Sequence, residues 1–148
     1  MLLFIALVSI DQYIKYIFVD GFVYHTKCIS LILAYNTGVA FSMFSFLAEN
    51  LKFIQIGILS LGILYIIFNK EIYSTYYIPI TLILSGGISN IADRFNHIGV
   101  VDYVYWHCGF DFAIFNFADV IIDLGVVVLI YIQYQIDKSN EKENLNKN

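Results

Sequence analysis

Residues 117–136 read FADVIIDLGVVVLIYIQYQI. A helix rising about 1.5 Å per residue needs roughly 20 apolar residues to cross a hydrocarbon core about 30 Å thick. This stretch meets that length, and its only ionisable acids, Asp119 and Asp123, lie in its first two turns. Lipid offers no partner to backbone N–H and C=O groups, so such a segment must close its hydrogen bonds internally as a helix. Three more stretches follow the same reading. MLLFIALVSIDQYIKYIFV (1–19) lacks a basic leader and a small-residue cleavage site, which predicts a retained helix in place of a cleaved signal. LKFIQIGILSLGILYIIF (51–68) is the second span. The third is expected over 77–95, with Pro79 in the first turn, where a missing N–H breaks no helical bond.

Composition agrees. Of 148 residues, 59% are hydrophobic and 14% charged, and mean hydropathy is +0.74, whereas a soluble domain is nearer a quarter charged. A disordered or collagen-like chain is excluded. So is a nucleic-acid binder, because the net charge is −4 and no basic cluster is present. The fold class expected is an all-α membrane protein with four transmembrane helices. One membrane-embedded domain covers 1–136, with a short polar turn at 69–76 and long loops at 20–50 and 97–116. Those loops are rich in aromatic and β-branched residues and are expected to hold short surface strands. The charged tail, residues 137–148, is expected to be disordered.

Four crossings put both termini and the 69–76 turn on one side and both long loops on the other. Lys70, Lys138, Lys142 and Lys147 lie on the first side; Lys27 and Lys52 lie on the second, with Lys15 and Arg94 set inside helix ends. The excess of cations puts the termini in the cytoplasm.

Ionisable side chains in spanning helices are costly, and they usually face a cavity. Here they are Asp11, Lys15, Asp93, Arg94, Asp119 and Asp123. Asp11 and Lys15 are four apart, on one helical face, and are read first as a neutralised pair holding helix one to its neighbours. GGISNIADR (86–94) ends the third helix and FNFAD (115–119) begins the fourth. Parity therefore gathers Asn90, Asp93, Arg94, Asn116 and Asp119 at one leaflet, beside the loop residues Asp102 and Asn36. Gly86 and Gly87 leave room for close approach of a helix or a substrate backbone. NTGVAF (36–41) joins a polar amide to the turn glycine Gly38.

The sequence holds no HExxH or GxSxG, no glycine-rich phosphate loop, and no metal-ligand spacing among His25, His97 and His107. No metal or cofactor is assigned. Carboxylates remain. Two aspartates sharing a site cannot both ionise cheaply, so one keeps a proton while the other takes a proton from an attacking water. Spacing does not choose the pair among Asp93, Asp102, Asp119 and Asp123.

Read in order, DQYIK (11–15), NTGVAF (36–41), GGISNIADR (86–94), VVDY (100–103) and FNFAD (115–119) closely resemble lipoprotein signal peptidase, also called signal peptidase II. The resemblance covers nearly the whole chain. It implies an aspartic endopeptidase of the bacterial inner membrane that cuts diacylglyceryl-modified prolipoproteins just before the lipidated cysteine. Its implied partners are the lipid-modified substrate and membrane lipid, with the site near the periplasmic leaflet. The implied catalytic pair is Asp102 and Asp119. Asp11, Lys15, Asn36, Gly38, Gly86, Asn90, Asp93, Arg94 and Asn116 match supporting or substrate-binding positions, and a small extracytoplasmic β-cradle is expected from residues 20–50. The N-terminal dipole of helix four favours ionised Asp119, leaving the shared proton on Asp102. Asp102 is expected on a loop whose closure completes the site.

The chain departs from the family pattern at Val39, where alanine is usual, at Ser89, where glycine is frequent, and at Tyr103, where phenylalanine is common. None of these removes a carboxylate. Tyr103, Tyr105 and Trp106 are read as an interfacial belt. Cys28 and Cys108 are read as structural thiols, with a disulfide open to them if their loops face an oxidising compartment. The alternative function is a small proton-coupled carrier or channel, which would spread its polar groups through the membrane depth. An assembly subunit would use Asp11, Lys15 and Arg94 only as pairing groups.

Overall fold

The computed structural model describes residues 1–38, 43 and 45–147. Val39, Ala40 and Phe41 of the NTGVAF motif, including the Val39 departure, lie outside the described residues. Chain order is α1 (Leu2–Val19), β1 (Tyr24–His25), β2 (Ile29–Asn36), α2 (Ala48–Phe68), α3 (Lys70–Asn96), β3 (Val100–Trp106) and α4 (Phe117–Lys147), with a 3-10 turn at Ser45–Leu47.

Among the described residues, three helices are long and apolar enough to cross a membrane: Leu2–Val19, Asn50–Phe68 and Phe117–Leu145. Their outward side chains, such as Ile58, Leu61 and Tyr65 on α2 and Val127, Ile130 and Tyr131 on α4, are exposed hydrophobics suited to lipid. The third span expected from sequence, α3, does not meet the same measure of apolarity. The cause is its position: α3 packs against α4, α1 and α2 together. Its buried residues include Ser85, Ser89, Asn90, Asp93 and Arg94. A helix walled by protein can carry polar groups that a lipid-facing helix cannot.

The turn expected at 69–76 is tighter. Residues 70–75 are already helical, and the break falls at Tyr76 (φ −115°, ψ 23°). Pro79 thus enters three residues after the break, within the first turn of the long segment. Gly86 lets α3 and α4 close on each other: a Cβ there would meet the Ala118 carbonyl oxygen at 2.5 Å.

A three-stranded antiparallel sheet, β1-β2-β3, caps one end of the helices. Among the described residues, the cradle expected from 20–50 supplies β1 and β2; β3 comes from the second long loop. Asp102 is therefore on a strand and not on a free loop, paired with Ala34 across from it. The far edge of β3 is held by Phe115, which accepts from Val104 N–H at 2.9 Å and donates back at 3.1 Å.

Three further expectations are corrected. Cys28 and Cys108 form a disulfide across 80 positions of sequence. Extension of the β2–β3 pairing brings them together, with the His107 N–H on the Cys28 carbonyl at 2.9 Å. Tyr103 does not join a belt. It is 5% exposed and stacks on Phe18 at 4.3 Å between ring centroids, because the Val100–Tyr103 half of β3 is buried while burial falls off toward the exposed Trp106 end. Finally, α4 continues to Lys147, through the tail expected to be disordered. That segment has no glycine or proline, and its entry is braced by Gln133 Nε2 on Asp137 Oδ1 at 2.8 Å.

Candidate active site

α4 starts with a reciprocal cap. Asn116 Oδ1 accepts the Asp119 N–H at 2.9 Å, and Asp119 Oδ2 accepts the Asn116 N–H at 3.1 Å. This is the capping-box arrangement with Asn and Asp in the paired positions. Tyr103 adds a third contact: its hydroxyl accepts the Phe117 N–H at 3.0 Å. The departure from phenylalanine at 103 therefore supplies a partner to an N–H that the helix itself leaves open.

The Asn116 amide also reaches the other way. Its Nδ2 donates to Asp102 Oδ1 at 2.7 Å and lies 3.1 Å from Asn90 Oδ1 and 3.2 Å from the Val101 carbonyl. Asp102 Oδ2 receives Asn36 Nδ2 at 3.1 Å, from the end of β2. Asp119 Oδ1 receives Asn90 Nδ2 at 2.8 Å, from α3. Three asparagines from three elements thus hold the two carboxyl groups, and both aspartates line one cavity of about 340 Å³.

Behind this layer sits a buried ionic one. Lys15 Nζ is 2.7 Å from Asp11 Oδ2 and 2.7 Å from Asp93 Oδ2, and it donates to Asn90 Oδ1 at 2.8 Å. Asp11 accepts the Ser89 hydroxyl at 2.6 Å and the Ala118 N–H at 2.9 Å. Asp93 accepts the Val101 N–H at 3.1 Å and Gln12 Nε2 at 2.8 Å. The Asp11–Lys15 pair is therefore a structural tie, as its spacing suggested, extended by Asp93 into a triad joining α1, α3, α4 and β3. Each member is almost fully buried and saturated with partners, which is the condition under which buried charge is tolerated.

Arg94 does a different job. Its guanidinium donates to the carbonyls of Asn36, Thr37 and Gly38, holding the chain that leaves β2 beside the cavity. The Gly38 N–H in turn goes to Asn36 Oδ1 at 3.0 Å. Burial raises the Asp102 carboxyl to about 7, helped by the negative charge of Asp119; hydrogen bonds from Asn36 and Asn116 and the Lys15 charge oppose the rise.

All the singled-out positions other than Asp123 and the two helix-spacing glycines join this network. Asp123 lines the cavity with an exposed side chain. Gly86 and Gly87 serve helix approach, Gly87 against Leu59. Sequence reasoning missed Gln12, Ser89 and Gln55. Gln12 and Ser89 sit inside motifs already quoted, next to charged or amide residues on one helical face. Gln55 was visible as an uncharged polar residue in a span that is otherwise apolar apart from Lys52, Ser60 and Tyr65. The linked polar groups lie at the sheet end of the helices, which is not the distribution along the membrane depth that a carrier would need.

Residues 3–135 match the profile of the family described as Signal peptidase (SPase) II. The chain is 56% identical over 127 residues to the lipoprotein signal peptidase of Sulfurimonas denitrificans, covering 85% of this chain and 81% of that one. It is 49% identical over 129 residues to the lipoprotein signal peptidase of Wolinella succinogenes, covering 87% and 88%. Among solved structures it is similar to one described as a bacterial membrane enzyme, with a TM-score of 0.78 and 30% identity over 96% of this chain and 90% of that one.

Proposed function

This chain belongs to the signal peptidase II family, and from that premise we propose that Asp102 and Asp119 are the aspartates with which it cuts. It is an aspartic-type endopeptidase of the bacterial inner membrane that removes signal peptides from prolipoproteins. The observation that carries the choice of pair is their shared cavity, bridged by the Asn116 amide.

The chemistry follows from their surroundings. Asp119, on the first turn of α4 where the helix dipole favours a negative charge, is the ionised partner. Asp102, whose carboxyl titrates near 7, holds the proton. Asp119 takes a proton from water as the water oxygen adds to the scissile carbonyl, and Asp102 gives its proton to the carbonyl oxygen. The tetrahedral adduct then breaks its C–N bond. Asp119 returns its proton to the departing amine, while Asp102 recovers one from the adduct hydroxyl. No covalent enzyme intermediate is formed.

The substrate is a prolipoprotein carrying diacylglyceryl on its cysteine, cut just before that residue, with the acyl chains lying in lipid beside the helices. Confinement to the bilayer raises its local concentration at the site. α3 is the fourth crossing, surrounded by the other three, and one domain spans 1–136. Lysine distribution supports cytoplasmic termini, which would set the sheet and cavity at the periplasmic leaflet.

The test is cleavage of a diacylglyceryl-modified prolipoprotein and its unmodified twin by the purified protein. Processing of the modified form alone, lost in Asp102→Asn and Asp119→Asn, is expected. Equal cleavage of both forms would contradict the lipid dependence. Near-normal turnover by either variant would remove that residue from the pair.

A further inference from the structure

Besides the exposed Asp123, one polar side chain in the cavity wall has no place in the network above. Gln55 is on the third turn of α2, a helix that, among the described residues, contributes nothing to the asparagine layer or the ionic triad. It lines the cavity with Asn90, Asp102 and Asp119. Its Oε1 is buried and has no hydrogen-bond partner among the described residues. Buried amide oxygens are almost always paired, and one left open is tolerated where a ligand or water completes it. Gln55 and Asn90 also line a smaller cavity of about 180 Å³, whose other walls are isoleucine and leucine side chains and Gly87. The orphan acceptor thus stands where the polar chamber gives way to an apolar one.

We infer that Gln55 binds the substrate main chain, its Oε1 accepting a peptide N–H next to the scissile bond. An extended peptide entering an aspartyl site brings backbone N–H groups that lose water on entry, and each needs an acceptor. The two carboxyl groups are occupied by the asparagines and by the attacking water, and Arg94 offers only donors. On the α2 wall of the cavity, Gln55 Oε1 is a buried acceptor with no partner among the described residues, whereas Asp123 is exposed. It is a binding residue, and this assignment rests on reading Asp102 and Asp119 as the reacting pair.

The experiment measures steady-state cleavage of a synthetic diacylglyceryl prolipoprotein peptide by the full-length protein in detergent and by Gln55→Leu and Gln55→Glu. Losing one backbone hydrogen bond lowers kcat/KM about tenfold in Gln55→Leu, whereas Gln55→Glu, which keeps an acceptor oxygen, retains more than Gln55→Leu. Replacing a side chain whose buried oxygen has no partner by an apolar one also leaves the thermal midpoint of Gln55→Leu equal or higher, which a purely structural role would not do. Peptides N-methylated singly at the residues flanking the cut give the second readout. One of them is a poorer substrate for the parent and no poorer than its unmethylated twin for Gln55→Leu. Unchanged kcat/KM in Gln55→Leu, or equal N-methyl penalties in parent and variant at every position, would overturn the assignment. Asp119→Asn is run alongside: activity surviving there counts against the aspartate pair and not against Gln55.

Discussion

Asn116 is bonded to both aspartates through one side chain, its Nδ2 2.7 Å from Asp102 Oδ1 and its Oδ1 2.9 Å from the Asp119 N–H. The two ends of that amide do separable work. Asn116→Ser keeps an oxygen at the cap but has no group to reach Asp102, and Asn116→Ala loses both. Turnover is expected to fall about 10- to 100-fold in each. Only the alanine variant should also lose about 1 kcal/mol of stability. Activity assays and thermal unfolding in the same detergent separate the two effects; equal stability would show that the cap is not holding α4.

Asp102→Asn and Asp119→Asn remove one proton-handling group each without changing side-chain size. General acid or base catalysis contributes about 10²–10⁴ in rate, so kcat should fall at least that far in each. The double variant should be little worse than either single one, because the pair acts as a unit. Additive losses would argue for two independent roles.

The pH dependence has a definite sign. Asp102 is raised to about 7 by burial and then by the charge of Asp119. With the proton required on Asp102, kcat/KM falls as pH rises through about 7, approaching about tenfold per unit. Stability follows the same direction: the unfolded carboxyl ionises near the usual value while the folded one resists, so stability is lost as pH climbs from about 4 to about 7. The Asn36 hydrogen bond lowers this titration, and Asn36→Leu should move the alkaline limb to higher pH. A pH profile unchanged in that variant would detach the limb from Asp102.

The parts of this arrangement legible in the sequence are those that follow from period and polarity. Spans 51–68 and 117–136 are apolar for long enough to announce themselves. Asp11 and Lys15 announce a pair because four residues make one helical turn. The convergence of Asn90, Asn116 and Asp119 follows once two helices are known to meet at one leaflet. What the sequence hid depends on neighbours. Whether VVDY is loop or strand turns on β2 being there to pair with it, and Tyr103 reads as interfacial until Phe18 is found stacked beneath it. Asp93 could equally have been a catalytic candidate; only its contact with Lys15 assigns it to the tie. Gln55 has no motif around it, and its orphaned oxygen is a property of the packed state alone.

The ionic tie predicts an asymmetric response to charge removal. Lys15→Met leaves Asp11 and Asp93 buried without their shared cation, a change that costs about 3–5 kcal/mol in comparable buried pairs. Removing the whole set, in Asp11→Asn/Lys15→Met/Asp93→Asn, leaves no unpaired charge and should recover much of that loss. Thermal unfolding in detergent reads both. A triple variant as unstable as Lys15→Met would mean that the charges matter for more than mutual compensation.

The disulfide yields the last prediction, and it separates stability from chemistry. Cys28 and Cys108 close a loop of 80 positions that contains α2 and α3, and constraining a loop of that size stabilises a fold by about 2–4 kcal/mol, mostly through the unfolded chain. The bond lies beyond the Trp106 end of β3, whereas Asp102 is near the Val100 end. Cys28→Ser and Cys108→Ser should therefore lower the thermal midpoint equally, and reductant should lower the parent to the same value while leaving both variants unmoved. Cleavage at moderate temperature should change little in all three cases, because Asn36, Asn90 and Asn116 hold the carboxyl groups without help from that edge. A large fall in kcat on reduction, at a temperature where the sheet is still folded, would mean that the outer edge of the cradle governs the geometry of Asp102 after all.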